Sequence, residues 1–146
     1  MQKIMKSIAT LGRIGYLPAP GTMGTLVTLP CAYLILLCFA WQQVMIISTI
    51  TTLSLFIVSK ALMHFNHKDP SNIILDEVVG CLVTFYGIKM NWFKVVLGFI
   101  LFRFFDICKP LGLKKLEKLP GAWGIIADDF VAGLIVNYIF LRYLFV

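Results

Sequence analysis

The sequence predicts an all-α fold: a multi-pass membrane bundle of about five helices in a single domain, residues 1–146. Three observations predict it. Of 146 residues, 60% are apolar, against roughly 45–50% in soluble domains. Only 14% are charged, against about 25% in soluble domains. No residue from 14 to 59 carries a charge. This composition excludes a disordered chain, a collagen-like repeat and a disulfide mini-protein. The net charge of +6 fits orientation in a membrane better than nucleic-acid binding. No nucleic-acid partner and no obligate protein partner are expected.

The first two membrane helices are the plainest. Met23 to Trp41 and Val44 to Ser59 are uncharged apolar runs, close to the ~20 residues needed to cross a bilayer core. Gln42 and Gln43 between them suit a tight interfacial turn. Pro30 is expected to kink the first helix or shorten its regular part. The third run, Val78 to Ile88, reaches only about 17 Å, so this helix must begin near Ile73 and take Asp76 and Glu77 into the membrane edge. The fourth, Trp92 to Ile107, contains Lys94, Arg103 and Asp106. These two helices are expected to be short or tilted, or to form a re-entrant hairpin. The fifth is Phe130 to Val146, with Arg142 its one charge.

Charge bias orients the bundle. With a cytoplasmic N-terminus and five crossings, Lys3, Lys6, Arg13, Lys60, Lys68, Arg103, Lys109, Lys114, Lys115 and Lys118 fall on the cytoplasmic side. Lys89, Lys94 and Arg142 fall on the other. This agrees with the positive-inside rule. The expected location is a bacterial cytoplasmic (inner) membrane, with membrane lipid as the surrounding partner.

The same topology gathers Asp76, Glu77, Asp106, Asp128 and Asp129 on that side. Charges at a membrane edge are costly and persist when paired or functional. Five mutually repelling carboxylates need something positive: Arg103 and Lys109, or a metal ion. Oxygen ligands without a Cys/His set suit Mg²⁺ rather than zinc. Asp76, Asp128 and Asp129 are expected near helix N-termini, where a capping carboxylate is the plain alternative. Arg103 and Asp106 lie three apart on one face, where a simple ion pair is the alternative. Adjacent acids on a helix point about 100° apart, so one of each pair should turn away from a common centre.

Other features are weaker. Leu17 to Leu26, LPAPGTMGTL, carries Thr22 and Thr25 and could offer amides and hydroxyls to a phosphate; an ordinary helix start is the simpler reading. His64 and His67 read as a solvated segment at the interface. Cys31, Cys38, Cys81 and Cys108 form no CxxC pair and read as small buried apolar residues.

Four stretches in order, PAPGTMGTL (Pro18 to Leu26), DPSNIILDEVVG (Asp69 to Gly80), LFRFFDICKP (Leu101 to Pro110) and GAWGIIADDFVAG (Gly121 to Gly133), carry a resemblance that spans nearly the whole chain. Together they resemble the phosphatidylglycerophosphatase A family of Mg²⁺-dependent lipid phosphatases. Ala122 stands where that family usually has Gly, and Thr25 where Ser is common. The resemblance implies hydrolysis of the terminal phosphomonoester of phosphatidylglycerophosphate to phosphatidylglycerol, with the active site on the cytoplasmic face. It implies Mg²⁺ held by some subset of Asp76, Glu77, Asp106, Asp128 and Asp129. Arg103, Lys109, Thr22 and Thr25 would hold the phosphate. Attack would come from a metal-activated water, or through an aspartyl-phosphate. The competing class is a non-enzymatic transporter or scaffold with structurally paired charges.

Overall fold

The computed structural model describes residues 2–63, 71–89 and 91–140. Among them the chain is all-helical. Six α-helices, α1 (Gln2–Ala9), α2 (Pro20–Leu36), α3 (Ala40–Leu62), α4 (Leu75–Phe85), α5 (Trp92–Cys108) and α6 (Ala122–Ile139), are joined by short turns and by 3₁₀ segments at Ile14–Tyr16 and Pro110–Lys118. The His64–His67 segment, Asp69 and Arg142 lie outside the described residues.

Local chemistry sets the helix ends. Pro20 occupies the first position of α2, where its missing N–H costs nothing. Pro30 lies within α2, which continues past it to Leu36. The Asn91 side chain caps α5 by accepting from the Lys94 amide at 2.8 Å. Lys109 ends α5 in a left-handed conformation, φ 45°, and turns the chain into the 110–118 segment.

α4 is the centre of the bundle and touches α2, α3, α5 and α6. Its residues from Val79 to Phe85 are all buried. At ~1.5 Å per residue it is only about 17 Å long, matching the short third helix expected. α6 is its closest neighbour, and glycines make that closeness possible. A Cβ on Gly133 would collide with the Gly80 carbonyl, and one on Gly80 would come within 2.5 Å of the Phe102 ring.

The end of the bundle opposite the acids is tied by amide side chains. Asn137 donates to the Thr84 and Tyr86 carbonyls at 3.1 and 2.8 Å. Gln43 donates to the Cys38 carbonyl at 2.9 Å and accepts from the Gly87 amide at 3.2 Å. The turn between α2 and α3 is Leu37 to Phe39, and the two glutamines stand inside α3 rather than in the turn: Gln42 accepts from the Phe39 amide at 3.0 Å, and Gln43 ties the turn to the α4–α5 connection.

Among the described residues two helices, α3 and α6, are long and apolar enough to cross a membrane; α2 is a shorter apolar helix. Large apolar side chains face outward, including Tyr33, Leu34, Met45, Phe56, Phe93 and Phe104. Polar groups such as Thr25, Thr28, Ser54, Thr84 and Asn137 are buried inside.

Three sequence expectations change. The last helix begins at Ala122 rather than Phe130, so Asp128 and Asp129 stand in its second turn, not at its N-terminus. The charged pair Asp128–Asp129 had suggested a helix start, whereas the helix runs through it, burying Ala122, Gly124, Ile125 and Ile126 ahead of the acids. The N-terminal helix α1 had not been foreseen; it buries Ala9 against Val58 and Ala61 of α3. The cysteines are unpaired, but only Cys81 is buried; Cys31 and Cys108 are exposed.

Candidate active site

The site is built at the crossing of α4 and α6. Asp76 lies four residues before Gly80, and Asp129 four residues before Gly133. Residues four apart stack on one helix face. The two acids therefore stand one turn from the point of closest backbone approach, and they face each other. Glu77 joins them from the first turn of α4, so this adjacent pair does not diverge as expected: the longer Glu77 side chain carries its carboxylate back across the ~100° between neighbours. Asp76, Glu77 and Asp129 offer carboxylate oxygens that all lie within 4.8 Å of one another.

These oxygens are not satisfied by the protein. Asp76 Oδ1, Glu77 Oε2 and Asp129 Oδ2 are buried without a hydrogen-bond partner. Buried unpaired charges of one sign are strongly unfavourable. A small oxygen-seeking dication removes that cost, and the all-carboxylate donor set fits Mg²⁺ chemistry. The three residues fit such an ion.

Of the other two expected acids, Asp106 borders the cluster and Asp128 leaves it. Asp106 accepts from Arg103 Nη1, forming the i,i+3 pair, and its carboxyl also adjoins that of Asp129. The same Arg103 nitrogen lies 4.0 Å from Glu77 Oε1. Asp128 diverges from Asp129, as helix geometry requires, and its Oδ2 accepts from Lys109 Nζ at 2.5 Å. Its Oδ1 also accepts from the Asp129 amide at 3.0 Å, which fixes the backbone beside the acid cluster.

Lys109 is shared. Its ammonium also donates to Glu117 Oε1 at 2.5 Å. Burial opposes the charge on Lys109, but its hydrogen bonds to Asp128 and Glu117 outweigh this and hold its pKa above the ordinary lysine value. It is a cation across the physiological range.

Glu117 was missed by sequence reasoning. It lies outside the motif-like stretches, among Lys114, Lys115 and Lys118, and eight positions from its partner. No local spacing announces that contact. The fold makes it, because the 110–118 segment packs tightly on the first turn of α6: a Cβ on Gly124 would sit 2.6 Å from the Leu119 carbonyl and 2.8 Å from that of Glu117.

The α2 loop also arrives at the site. Gly21 faces both Glu77 and Arg103: a Cβ there would overlap the Glu77 carboxylate and come within 2.9 Å of the guanidinium. The Thr25 hydroxyl donates to the Gly21 carbonyl at 2.9 Å and is fully buried, so it stiffens the first turn of α2. Thr22, half-buried, lies in that same turn. Arg103 Nε is buried without a hydrogen-bond partner. Pro20 has no N–H, and first-turn amides of a helix have no intrahelical acceptor. Arg103 and the start of α2 thus form a positively polarised wall beside three carboxylates.

Residues 7–143 match the sequence model of the family described as Phosphatidylglycerophosphatase A. A Bacteroides thetaiotaomicron protein, provisionally named as a phosphatidylinositol-3-phosphatase, is 34% identical over 129 residues, covering 82% of this chain and 80% of that protein. A phosphatidylglycerophosphatase A of Escherichia coli K12 is 30% identical over 119 residues, covering 80% and 69%. One of Haemophilus influenzae is 31% identical over 120 residues, covering 80% and 74%. No solved structure matches the chain.

Proposed function

Because the chain belongs to the phosphatidylglycerophosphatase A family, we propose that it hydrolyses the terminal phosphomonoester of phosphatidylglycerophosphate, giving phosphatidylglycerol and inorganic phosphate. The observation that carries this reading is the convergence of three unsatisfied carboxylate oxygens beside Arg103. A passive scaffold would pair those acids with bases. Here Arg103 and Lys109 bond Asp106, Asp128 and Glu117, Arg103 reaches Glu77 only at 4.0 Å, and the Asp76–Glu77–Asp129 cluster keeps three oxygens without a hydrogen-bond partner.

Asp76, Glu77 and Asp129 would hold Mg²⁺. When bound, the ion would neutralise phosphoryl oxygens and lower the pKa of water at the site. The protein's own groups do the rest. Arg103 presents its guanidinium to the phosphate dianion, in the geometry that suits bidentate anion recognition. The first turn of α2, with Gly21 and Thr22, lends dipole and amides. Lys109 adds a fixed positive charge from behind Asp128. In the reaction an oxygen nucleophile forms a bond to phosphorus, the ester P–O bond breaks, and the alcohol oxygen of the lipid leaves with a proton. The nucleophile is water or a carboxylate; inversion of configuration at phosphorus in a chiral substrate marks direct attack by water, and retention marks a carboxylate that is phosphorylated and then hydrolysed.

The membrane reading follows from α3, α6 and the apolar outer faces. Helices α2, α3, α5 and α6 would cross, with the shorter α4 running inside the bundle from the acidic end, and the N-terminus and that acidic end would lie on the cytoplasmic side of a bacterial inner membrane. This course puts the starts of α2, α4 and α6 and the end of α5 on that one side.

The test is phosphate release by purified protein in mixed micelles, with and without Mg²⁺. Phosphatidylglycerophosphate is offered alongside phosphatidylinositol 3-phosphate, the class in the name of the Bacteroides relative. Mg²⁺-dependent release from the first substrate is expected. Preference for the inositol lipid would reassign the headgroup, and no release from either would overturn the enzyme reading.

A further inference from the structure

Two grooves of similar size run along the bundle. One, of about 500 Å³, lies between α3 and α6, where Val44, Thr51, Leu134 and Asn137 are among its walls. The other, of about 490 Å³, lies between α2 and α5 and is lined by Leu26, Leu29, Pro30 and Tyr33 on one side and Trp92 and Val95 on the other. Volume does not separate them. Their relation to the acidic end does.

The α2–α5 cleft continues the candidate site along both of its walls. On α2, Thr22, Leu26, Leu29 or Pro30, and Tyr33 recur at spacings of three and four, so they share one helix face. On α5, Trp92, Val95, Phe99, Arg103 and Asp106 do the same. The face that carries Thr22 at the charged end is thus the face that lines the cleft below. The face that carries Arg103 and Asp106 likewise becomes the opposite wall. At that end the Arg103 side chain spans the gap to α2, where a Cβ on Gly21 would come within 2.9 Å of its guanidinium. From Thr22 to Tyr33 the stripe runs about 16 Å at ~1.5 Å per residue. It ends at Tyr33 and Trp92, both exposed, aromatic residues of the kind that mark a membrane–water boundary.

The α3–α6 groove also reaches the level of the acids, where Trp123 and Phe130 of α6 line it, but it opens on another face of the bundle. α3 brings no residue to the acid cluster, and the wall formed by α4 and α6 stands between. Phe130, which lines that groove, is the neighbour of Asp129 but points about 100° away from it.

We propose that the α2–α5 cleft is the acyl-chain site of the lipid whose phosphate lies at Arg103. This rests on the phosphatase reading above and adds where the lipid's hydrocarbon goes. A phosphomonoester lipid must keep its chains in apolar surroundings while its head reaches a charged end of the bundle. A chain laid along Leu26, Leu29 and Val95 does this without crossing any buried polar group. Burying its methylenes there also orients the headgroup against Arg103, because one seam carries both.

The experiment compares a long-chain phosphatidylglycerophosphate with its deacylated headgroup, glycerophosphoglycerophosphate, using wild type, Leu26→Trp, Val95→Phe and, in the other groove, Leu134→Trp. Overfilling the cleft should raise KM for the lipid about tenfold and leave kcat/KM for the deacylated phosphomonoester unchanged. Leu134→Trp should change neither. A lipid analogue with a diazirine on one acyl chain, photolysed with unaltered protein, should label α2 and α5. Labelling of α3 and α6, or of all outer faces equally, overturns the proposal. So does equal loss on both substrates in the cleft variants. If wild-type protein cleaves neither substrate, the phosphatase reading fails, and the labelling pattern still decides the cleft.

Discussion

Asp76 and Asp129 present carboxylate oxygens within 4.8 Å of one another from two different helices, and each keeps one buried oxygen with no partner. Their separation is set by backbone, because each stands one turn from a glycine at the α4–α6 contact. A rigid approach of this kind places two like charges together against their repulsion, which is the arrangement a cation site needs.

Asp76→Asn and Asp129→Asn should each lower Mg²⁺-dependent phosphate release by roughly a hundredfold or more. Without metal, both variants should melt no lower than wild type, since each removes a buried like charge. Phosphate release and thermal unfolding are measured on the same preparations. Near-normal activity in both variants would sink the metal-site assignment.

Gly133→Ala and Gly80→Ala should force α4 and α6 apart. Overpacking of this kind costs about 1–3 kcal/mol, and the Mg²⁺ concentration for half-maximal activity should rise with it. Gly98→Ala is the control. Its Cβ would meet the Phe85 ring at 2.7 Å and Phe140 at 3.0 Å, away from the acids. It should lower the melting temperature without moving the Mg²⁺ requirement.

The two partners of Lys109 should differ in weight. The Asp128 side chain is 7% exposed and that of Glu117 37%. Asp128→Asn leaves an under-compensated cation in a buried place and should cost about 3 kcal/mol or more. Glu117→Gln, at a solvated position, should cost about 1 kcal/mol or less. Denaturant unfolding of the two variants gives the comparison, and equal costs would contradict it.

Lys109 also makes a pH prediction. Its pKa is raised on folding, so its stabilisation is whole below the unfolded lysine value of about 10.4 and is lost as pH rises through the folded value. No loss of stability between pH 6 and pH 9 should trace to Lys109. Comparing the stability–pH curves of wild type and Lys109→Met in that range checks it: they should run parallel near neutrality, wherever no neighbouring acid titrates.

Arg103→Lys should not be conservative. The guanidinium serves Asp106, lies near Glu77 and keeps Nε for a further acceptor, and an ammonium cannot reproduce that fork. The expected result is a marked rise in KM and weaker inhibition by inorganic phosphate. Unchanged phosphate inhibition would remove Arg103 from the anion site.

Much of this site is legible in the chain. Helix geometry leads one to expect that Asp128 and Asp129 diverge, and they do, one facing Lys109 and the other the acid cluster; the same rule fails for Asp76 and Glu77, because a glutamate is long enough to reach back. The spacing of Arg103 and Asp106 announces their pair. The Asp-x-x-x-Gly pattern occurs in both α4 and α6, and it is the pattern by which the two acids meet. The start of α6 was not legible, because the charged pair Asp128–Asp129 interrupts the apolar run and reads as a helix end, while the fold buries both acids inside the helix. Nor was Glu117, whose contact depends on the packing of the 110–118 segment against Gly124.

Composition and periodicity therefore determined the all-helical class, the apolar outer surface and the set of charged residues available for chemistry. They could do so because both are properties of single helices, readable from side chains at spacings of three and four. Tertiary structure decided which acids converge, which are neutralised by Arg103 and Lys109, and which of two equal grooves shares its walls with the site. Those outcomes depend on how close two backbones come and at what angle. That is settled where Gly80 meets Gly133 and Gly21 meets Arg103, between residues far apart in the chain.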